Sequence, residues 1–217
     1  VMFCKNDRLL FIGDSITDSE RNKEALPARW QSWGEGYVQL INSYTTAFYP
    51  EKELMVINQG VSGNRVTDLK ARWQSDVFDL KPDVVTVMIG VNDVGRHFDG
   101  VFYQEEQVTP EIFYQTLKEL IAATIPVTKQ VYLLSGFLLM EAKDDPMRKM
   151  LADYNALTKK IAEELNVVFV DVQAAMDDYL KVQAGYYLSI DRIHPSLVGH
   201  MIIAKAWLEA AGLGGKL

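Results

Sequence analysis

Four short stretches of the chain carry residues able to attack or polarise a carbonyl group. They are Gly13, Asp14, Ser15, Ile16, Thr17, Asp18; then Asn58, Gln59, Gly60, Val61, Ser62, Gly63, Asn64; then Gly90, Val91, Asn92, Asp93; and finally Asp191, Arg192, Ile193, His194, Pro195. In the last, an Asp and a His three apart on a tight turn can bond side chain to side chain. The carboxylate would then fix the imidazole tautomer and stabilise its charged form, which is the base half of a catalytic triad. A serine hydroxyl is a weak nucleophile until such a base takes its proton. Taken singly, the other stretches have plainer readings. Asp14 and Ser15 after an apolar run suit a helix cap, Asn92 and Asp93 suit a side-chain-closed turn, and His194 before Pro195 suits a helix start. Ser62 lacks the closing glycine of a Gly-x-Ser-x-Gly elbow and reads as a turn residue. Neither His97 nor His200 has an Asp at the Asp191 spacing, so His97 is read as a pocket-lining residue and His200 as helix surface or packing.

These motifs need elements to hold them, and the hydrophobic pattern supplies five. Continuous apolar runs at 9–12, 54–57, 84–89, 131–134 and 167–170 read as strands buried on both faces of a parallel sheet. Helical periodicity follows Pro110 (Phe113, Leu117, Leu120, Thr124) and Pro146 (Met150, Tyr154, Leu157, Ile161, Leu165). A last helix is expected from Pro195, with Leu197, Met201, Ala204 and Leu208 as its buried stripe. Strand and helix in alternation predict an α/β fold, a three-layer sandwich around a five-stranded parallel sheet of flavodoxin-like type, as one domain over 1–217. Ligands bind outside the carboxyl ends of such strands, where the first three motifs fall. Two long irregular stretches, 18–36 and 94–109, adjoin that rim.

Composition narrows the function. With 48 % hydrophobic and 24 % charged residues the 217-residue chain is of globular type. A net charge of −7 disfavours a nucleic acid or an anionic membrane as partner, leaving a small neutral substrate. No apolar run reaches the roughly 18 residues of a membrane span. The single cysteine, Cys4, forms no intrachain disulfide, and the first residues lack the pattern of a signal peptide, so the expected location is the cytoplasm. No phosphate-binding glycine motif follows a strand, which counts against a non-catalytic flavodoxin-like nucleotide-binding module.

In order and placement, the four motifs resemble those of the SGNH, or GDSL-type, esterase and lipase family. The resemblance implies Ser15 as nucleophile, Asp191 and His194 as its triad partners, and an oxyanion hole from Ser15, Gly60 and Asn92. The stretches GDSITD, GVSGNRVTDLKARW, VMIGVNDV, DPMR and DRIHPSLVGHM are similar to the intracellular acetylxylan esterases of that family. That likeness implies an acyl-enzyme esterase removing acetyl groups from acetylated carbohydrate, with xylo-oligosaccharides as the expected substrate, no metal or organic cofactor, and a homo-oligomer. A lysophospholipase or acyl thioesterase with the same triad is the alternative. Candidate substrate-binding residues are Asp14, Trp30, Trp33, Arg96, His97, Phe98 and Ile190, with Tyr103 as a further rim aromatic. Asp14 also reads as a structural cap. Ile190 stands where those esterases are expected to carry an aromatic, which alters the shape of the pocket.

Overall fold

The Val-, Leu- and Ile-rich runs form strands because both of their faces are covered by helices. The computed structural model describes residues 3–100 and 107–216. Strands β1 (Arg8–Gly13), β2 (Met55–Gly60), β3 (Val84–Met88), β4 (Gln130–Leu134) and β5 (Val168–Val170) make one all-parallel sheet in the order β2-β1-β3-β4-β5. Helices α2 (Tyr37–Phe48), α7 (Val172–Leu180) and α8 (Leu197–Ala210) pack together on one side of it. On the other lie α3 (Val66–Trp73), α5 (Pro110–Thr124) and α6 (Pro146–Leu165). The three-layer α/β sandwich expected from the sequence is the observed fold.

Strand order reverses between β1 and β3, so their carboxyl ends open a crevice between chain segments that leave in opposite directions. Register fixes the rim. Gly13 is level with Gly60 on one side and Met88 on the other, which brings the first three motifs to one edge. Two short helices follow there, α1 (Ser15–Asp18) and α4 (Val91–Gly95).

Helices α5 and α6 start where Pro110 and Pro146 place them, with Thr109 and Asp145 accepting bonds from the backbone of the first turn. Helix α8 departs from expectation twice. It begins at Leu197, leaving Pro195 outside, and Leu197 and Met201 of the expected stripe face solvent. Gly199, His200, Ile203, Ala204, Trp207 and Leu208 are buried instead. Apolar residues occur on every side of this helix, and apart from the exposed Lys205–Glu209 pair its pattern specifies a face only weakly. Packing of Trp207 decides it. Its ring lies 5.1 Å from Phe11 and 5.5 Å from Tyr132, and its Nε1 donates to Thr86 Oγ1 at 2.9 Å. Phe11, Thr86 and Tyr132 are level on β1, β3 and β4, so one indole spans three strands.

Replacing Trp207 by Ala should therefore cost about 3–5 kcal/mol, read as a lower urea midpoint with an unchanged slope. A loss under about 1 kcal/mol would mean that α8 is anchored elsewhere.

Candidate active site

Ser15 is the first residue of α1, and Asp14 is the cap that turns the chain there: its Oδ1 accepts from Ile16 N–H at 3.0 Å. Capping holds the serine at the mouth of the crevice. Ser15 Oγ lies 2.8 Å from His194 Nε2, and His194 Nδ1 lies 2.6 Å from Asp191 Oδ2. A ring that donates through Nδ1 to the carboxylate presents Nε2 as acceptor, ready for the serine proton.

The turn that carries Asp191 and His194 is built around the aspartate. Its Oδ1 accepts from Ile193 N–H at 2.9 Å, His194 N–H at 2.8 Å and Ser189 Oγ at 2.9 Å. Partial burial would raise this carboxyl, but the bonds from the His194 ring, the two backbone N–H groups and Ser189 outweigh it and hold the group well below the usual range. Arg192 takes a left-handed φ of 73° so that the chain can fold back on its own side chain. The helix start lies beyond Ser196, so His194 sits farther from the α8 dipole than Pro195 as a first helical residue would put it.

The N–H of Gly60, the expected second oxyanion donor, is already engaged: it is buried and donates to Asn58 Oδ1 at 2.8 Å. Gly60 is a glycine for a steric reason instead: a Cβ there would clash with the backbone of Asp18. Along the turn that follows, Val61 N–H bonds Gly13 O, Ser62 N–H bonds Asp18 Oδ2 and Asn64 N–H bonds Val61 O. That accounting leaves the Gly63 N–H as the donor available to a ligand. Asn92 enters from the β3 side, where Gly90 at φ 128° makes a turn closed to other residues. One hydrogen of its Nδ2 goes to Asn64 O at 3.1 Å, which orients the other.

Residues 11–202 match the GDSL-like lipase/acylhydrolase family. This chain belongs to that family. It is 44 % identical over 206 residues to an acetylxylan esterase of Geobacillus stearothermophilus, covering 95 % of this chain and 94 % of that one. Its fold matches the crystal structure of Axe2, an acetylxylan esterase from Geobacillus stearothermophilus, with a TM-score of 0.93 and 42 % identity over 98 % of this chain and 97 % of that one. It matches equally LAE5, an alpha/beta hydrolase enzyme from the metagenome of Lake Arreo, Spain, with a TM-score of 0.93 and 44 % identity over 98 % of each chain.

Around the triad of this GDSL-family hydrolase, the remaining candidates divide. Asp14 is fully buried as a cap and offers a substrate nothing, so its structural reading holds and its substrate-binding one does not. His97 is likewise engaged inward, with Nε2 at 3.0 Å from Val108 O and 3.5 Å from Tyr154 Oη. Arg96 bonds Asp99 at 2.8 Å, and its guanidinium reaches within 3.7 Å of where a Cβ on Gly63 would lie. Phe98, Trp30 and Ile190 are exposed, Ile190 almost completely. Trp33 is half-buried, its indole fixed by a bond to Val56 O at 2.8 Å. Tyr103 lies outside the described residues. Ser62 is an exposed turn residue bonded to Asp18. Buried His200 accepts from Tyr37 N–H at 3.2 Å on Nδ1, so Nε2 carries its proton toward Ser19 Oγ at 3.4 Å. It therefore packs and caps α2 and cannot serve Ser19 as a base. No sequence signal beyond proximity pointed to Ser189 as a partner of Asp191.

Two buried carboxyls lie beneath the rim. Burial pushes Asp14 up to about 7, against the Ile16 N–H bond and the nearby His194. Burial also pushes Asp93 up to about 7, against its bond from Val66 N–H, with Asp14 adding to the rise. Among the described residues, Asp93 Oδ2 has no hydrogen-bond partner. Folding thus favours the protonated acids. Their contribution is complete below the unfolded value near 4 and is lost as pH rises through about 7. Burial, with the charge of His194, pushes His200 down to about 4, so its contribution has the opposite sign and is lost as pH falls from about 6.5 toward 4. Asp93→Asn should leave a flatter decline of stability on the alkaline side and, at pH 8, a stability higher than the parent's by on the order of a few kcal/mol, read as a higher melting temperature. Parallel melting curves for the two proteins from pH 5 to pH 8 would contradict a neutral, buried Asp93.

Proposed function

We propose that this protein is a serine esterase that removes acetyl groups from acetylated xylo-oligosaccharides, with Ser15 as nucleophile. The observation that carries the reading is the continuous line of bonds from Ser15 through His194 to Asp191, set at the reversal of strand order. Similarity to the Geobacillus acetylxylan esterase supports the acetyl substrate. Three solved structures of Axe2 are catalytic mutants, S15A, D191A and H194A, and the same residue types stand at the same numbers here.

In this reading His194 Nε2 takes the Ser15 proton as Oγ bonds to the acetyl carbonyl carbon. The carbonyl oxygen becomes an oxyanion, met by the N–H groups of Ser15 and Gly63 and by the remaining hydrogen of Asn92 Nδ2. His194 returns the proton to the departing sugar hydroxyl, leaving an acetyl-enzyme. Water then attacks the acetyl carbon, giving its proton to His194 and releasing acetate. Asp191 stays ionised throughout and balances the imidazolium. None of these steps calls for a metal or organic cofactor.

The sugar side falls to the segment after α1. Glu20, Asn22, Trp30, Gln31, Trp33 and Glu35 line an open groove of about 580 Å³, joined to α1 by the bond from Glu35 N–H to Ser19 O. Aromatic faces beside carboxylates and amides suit the apolar face and hydroxyl rim of a pyranose. Ile190, Leu197, Val198 and Met201, close in the chain to the catalytic turn, are exposed apolar residues, and we assign them to contacts between copies of the chain in a homo-oligomer. No helix among the described residues is long and apolar enough to cross a membrane. The single cysteine accords with a cytoplasmic setting.

Ser15→Ala should abolish release of acetate from acetylated xylo-oligosaccharides. Asn92→Ala should slow turnover by roughly 10²- to 10³-fold without lowering the melting temperature by more than a few degrees. His194→Ala should lower turnover nearly as far as Ser15→Ala, and a variant that kept the parental rate would remove His194 as base. On nitrophenyl esters the rate should fall from acetate to octanoate; a rise along that series would replace the acetyl reading by a lipase or thioesterase. Light scattering should give a mass at least twice that of the chain, and a monomer would leave these apolar residues without the partner assigned to them.

A further inference from the structure

The segment 135–140 after β4 is irregular yet buried, with Phe137, Leu138 and Leu139 almost fully inaccessible. Buried backbone without helix or strand bonds must find partners elsewhere. Here they come from two helices and from the catalytic turn. Arg148, buried on α6, donates through Nη1 to Leu138 O at 2.8 Å and Met140 O at 3.2 Å, and through Nη2 to both oxygens of Asp177 at 2.7 Å each. Gln173, on α7, accepts from Leu138 N–H at 2.9 Å and donates to Asp177 at 3.0 Å. The Leu139 N–H shares a planar peptide unit with the clamped Leu138 carbonyl and so points the opposite way. Leu139 N–H donates to Arg192 O at 2.9 Å, and Glu141 Oε1 accepts from Gly185 N–H at 2.7 Å.

Arg192 is the left-handed residue between Asp191 and His194. A non-glycine residue stays in that conformation only where its surroundings over-determine it. The Asp191 bonds hold the turn from inside, and Leu139 holds its carbonyl from outside. We propose that Arg148, with Asp177 and Gln173, is a positioning device for the catalytic turn: by fixing the Leu138 and Met140 carbonyls it aims Leu139 N–H at Arg192 and so keeps His194 on the Ser15 line. This rests on the assignment of Ser15, His194 and Asp191 made above. Arg148 touches neither substrate nor reacting atoms, so its effect belongs in turnover and not in substrate binding. A lysine could keep the charge opposite Asp177 but lacks the planar fork that meets both partners at once.

The test measures acetylesterase activity of the full chain as Arg148→Met and Arg148→Lys, with Ser15→Ala alongside. Turnover should fall at least 10-fold for Arg148→Met and by a smaller factor for Arg148→Lys, while KM changes less than 3-fold. Labelling of Ser15 by a fluorophosphonate should slow by the same factor as turnover, and the downfield proton resonance of the His194–Asp191 bond should broaden. Folded Arg148→Met with the parental turnover and an undisturbed downfield resonance overturns the proposal, as does a loss confined to KM. If Arg148→Met does not fold, Arg148→Lys and Gln173→Ala are read by the same turnover, labelling and resonance criteria. Full activity of Ser15→Ala would instead remove the triad assignment itself, which separates the two failures.

Discussion

The two oxygens of Asp191 have different partners, and the site depends on that division. Oδ2 holds the imidazole of His194, whereas Oδ1 gathers two backbone N–H groups and the Ser189 hydroxyl. A carboxylate bonded only to the ring could swing with it. With Oδ1 tied to the backbone of the turn, the ring position becomes a property of the main chain. The arrangement also explains why partial exposure of the Asp191 side chain is tolerated: hydrogen bonds, not a buried charge, keep the group ionised.

Left-handed backbone recurs at the rim of the site. Arg192 and Gly90 both adopt left-handed φ values at the rim, and Ser19, just past α1, does so as well. Each is tolerated because rigid strands or buried side chains fix the residues beside it. Beneath them Asp14 and Asp93 are buried acids whose neutral forms the fold favours near neutral pH. The same burial that destabilises their charged forms lets them cap α1 and the start of α3 from within the core, at Ile16 N–H and Val66 N–H. Their cost is thus linked to the placement of Ser15 and of the turn that follows β2.

More than half of the His194 side-chain surface faces solvent, so the Ser15–His194–Asp191 line sits on an open rim and not on the floor of a deep tunnel. An open rim fits a small acyl group carried by a large polar alcohol, since little of the substrate has to be enclosed. A polar, tryptophan-bearing groove is lined by the segment after α1, and exposed apolar residues stand at Ile190 and just beyond the turn, at Leu197, Val198 and Met201.

By itself the sequence determined the five strands, the helices opened by Pro110 and Pro146, and the Asp191–His194 spacing. Each of these is a local matter: apolar runs long enough to be buried on two faces, a proline suited to a first turn, and two side chains within reach across one bend. The tertiary structure decided what depends on partners distant in the chain. It chose Gly63 over Gly60 as the available donor, because the Asn58 side chain occupies the Gly60 N–H and Asp18 leaves no room for a Cβ there. Likewise it chose the buried face of α8, a helix with apolar residues on every side, through the contact of Trp207 with three strands. The hold of Arg148 on the catalytic turn was beyond sequence reading for the same reason. It runs through backbone carbonyls at Leu138 and Met140, groups that every residue possesses and that only the fold can single out.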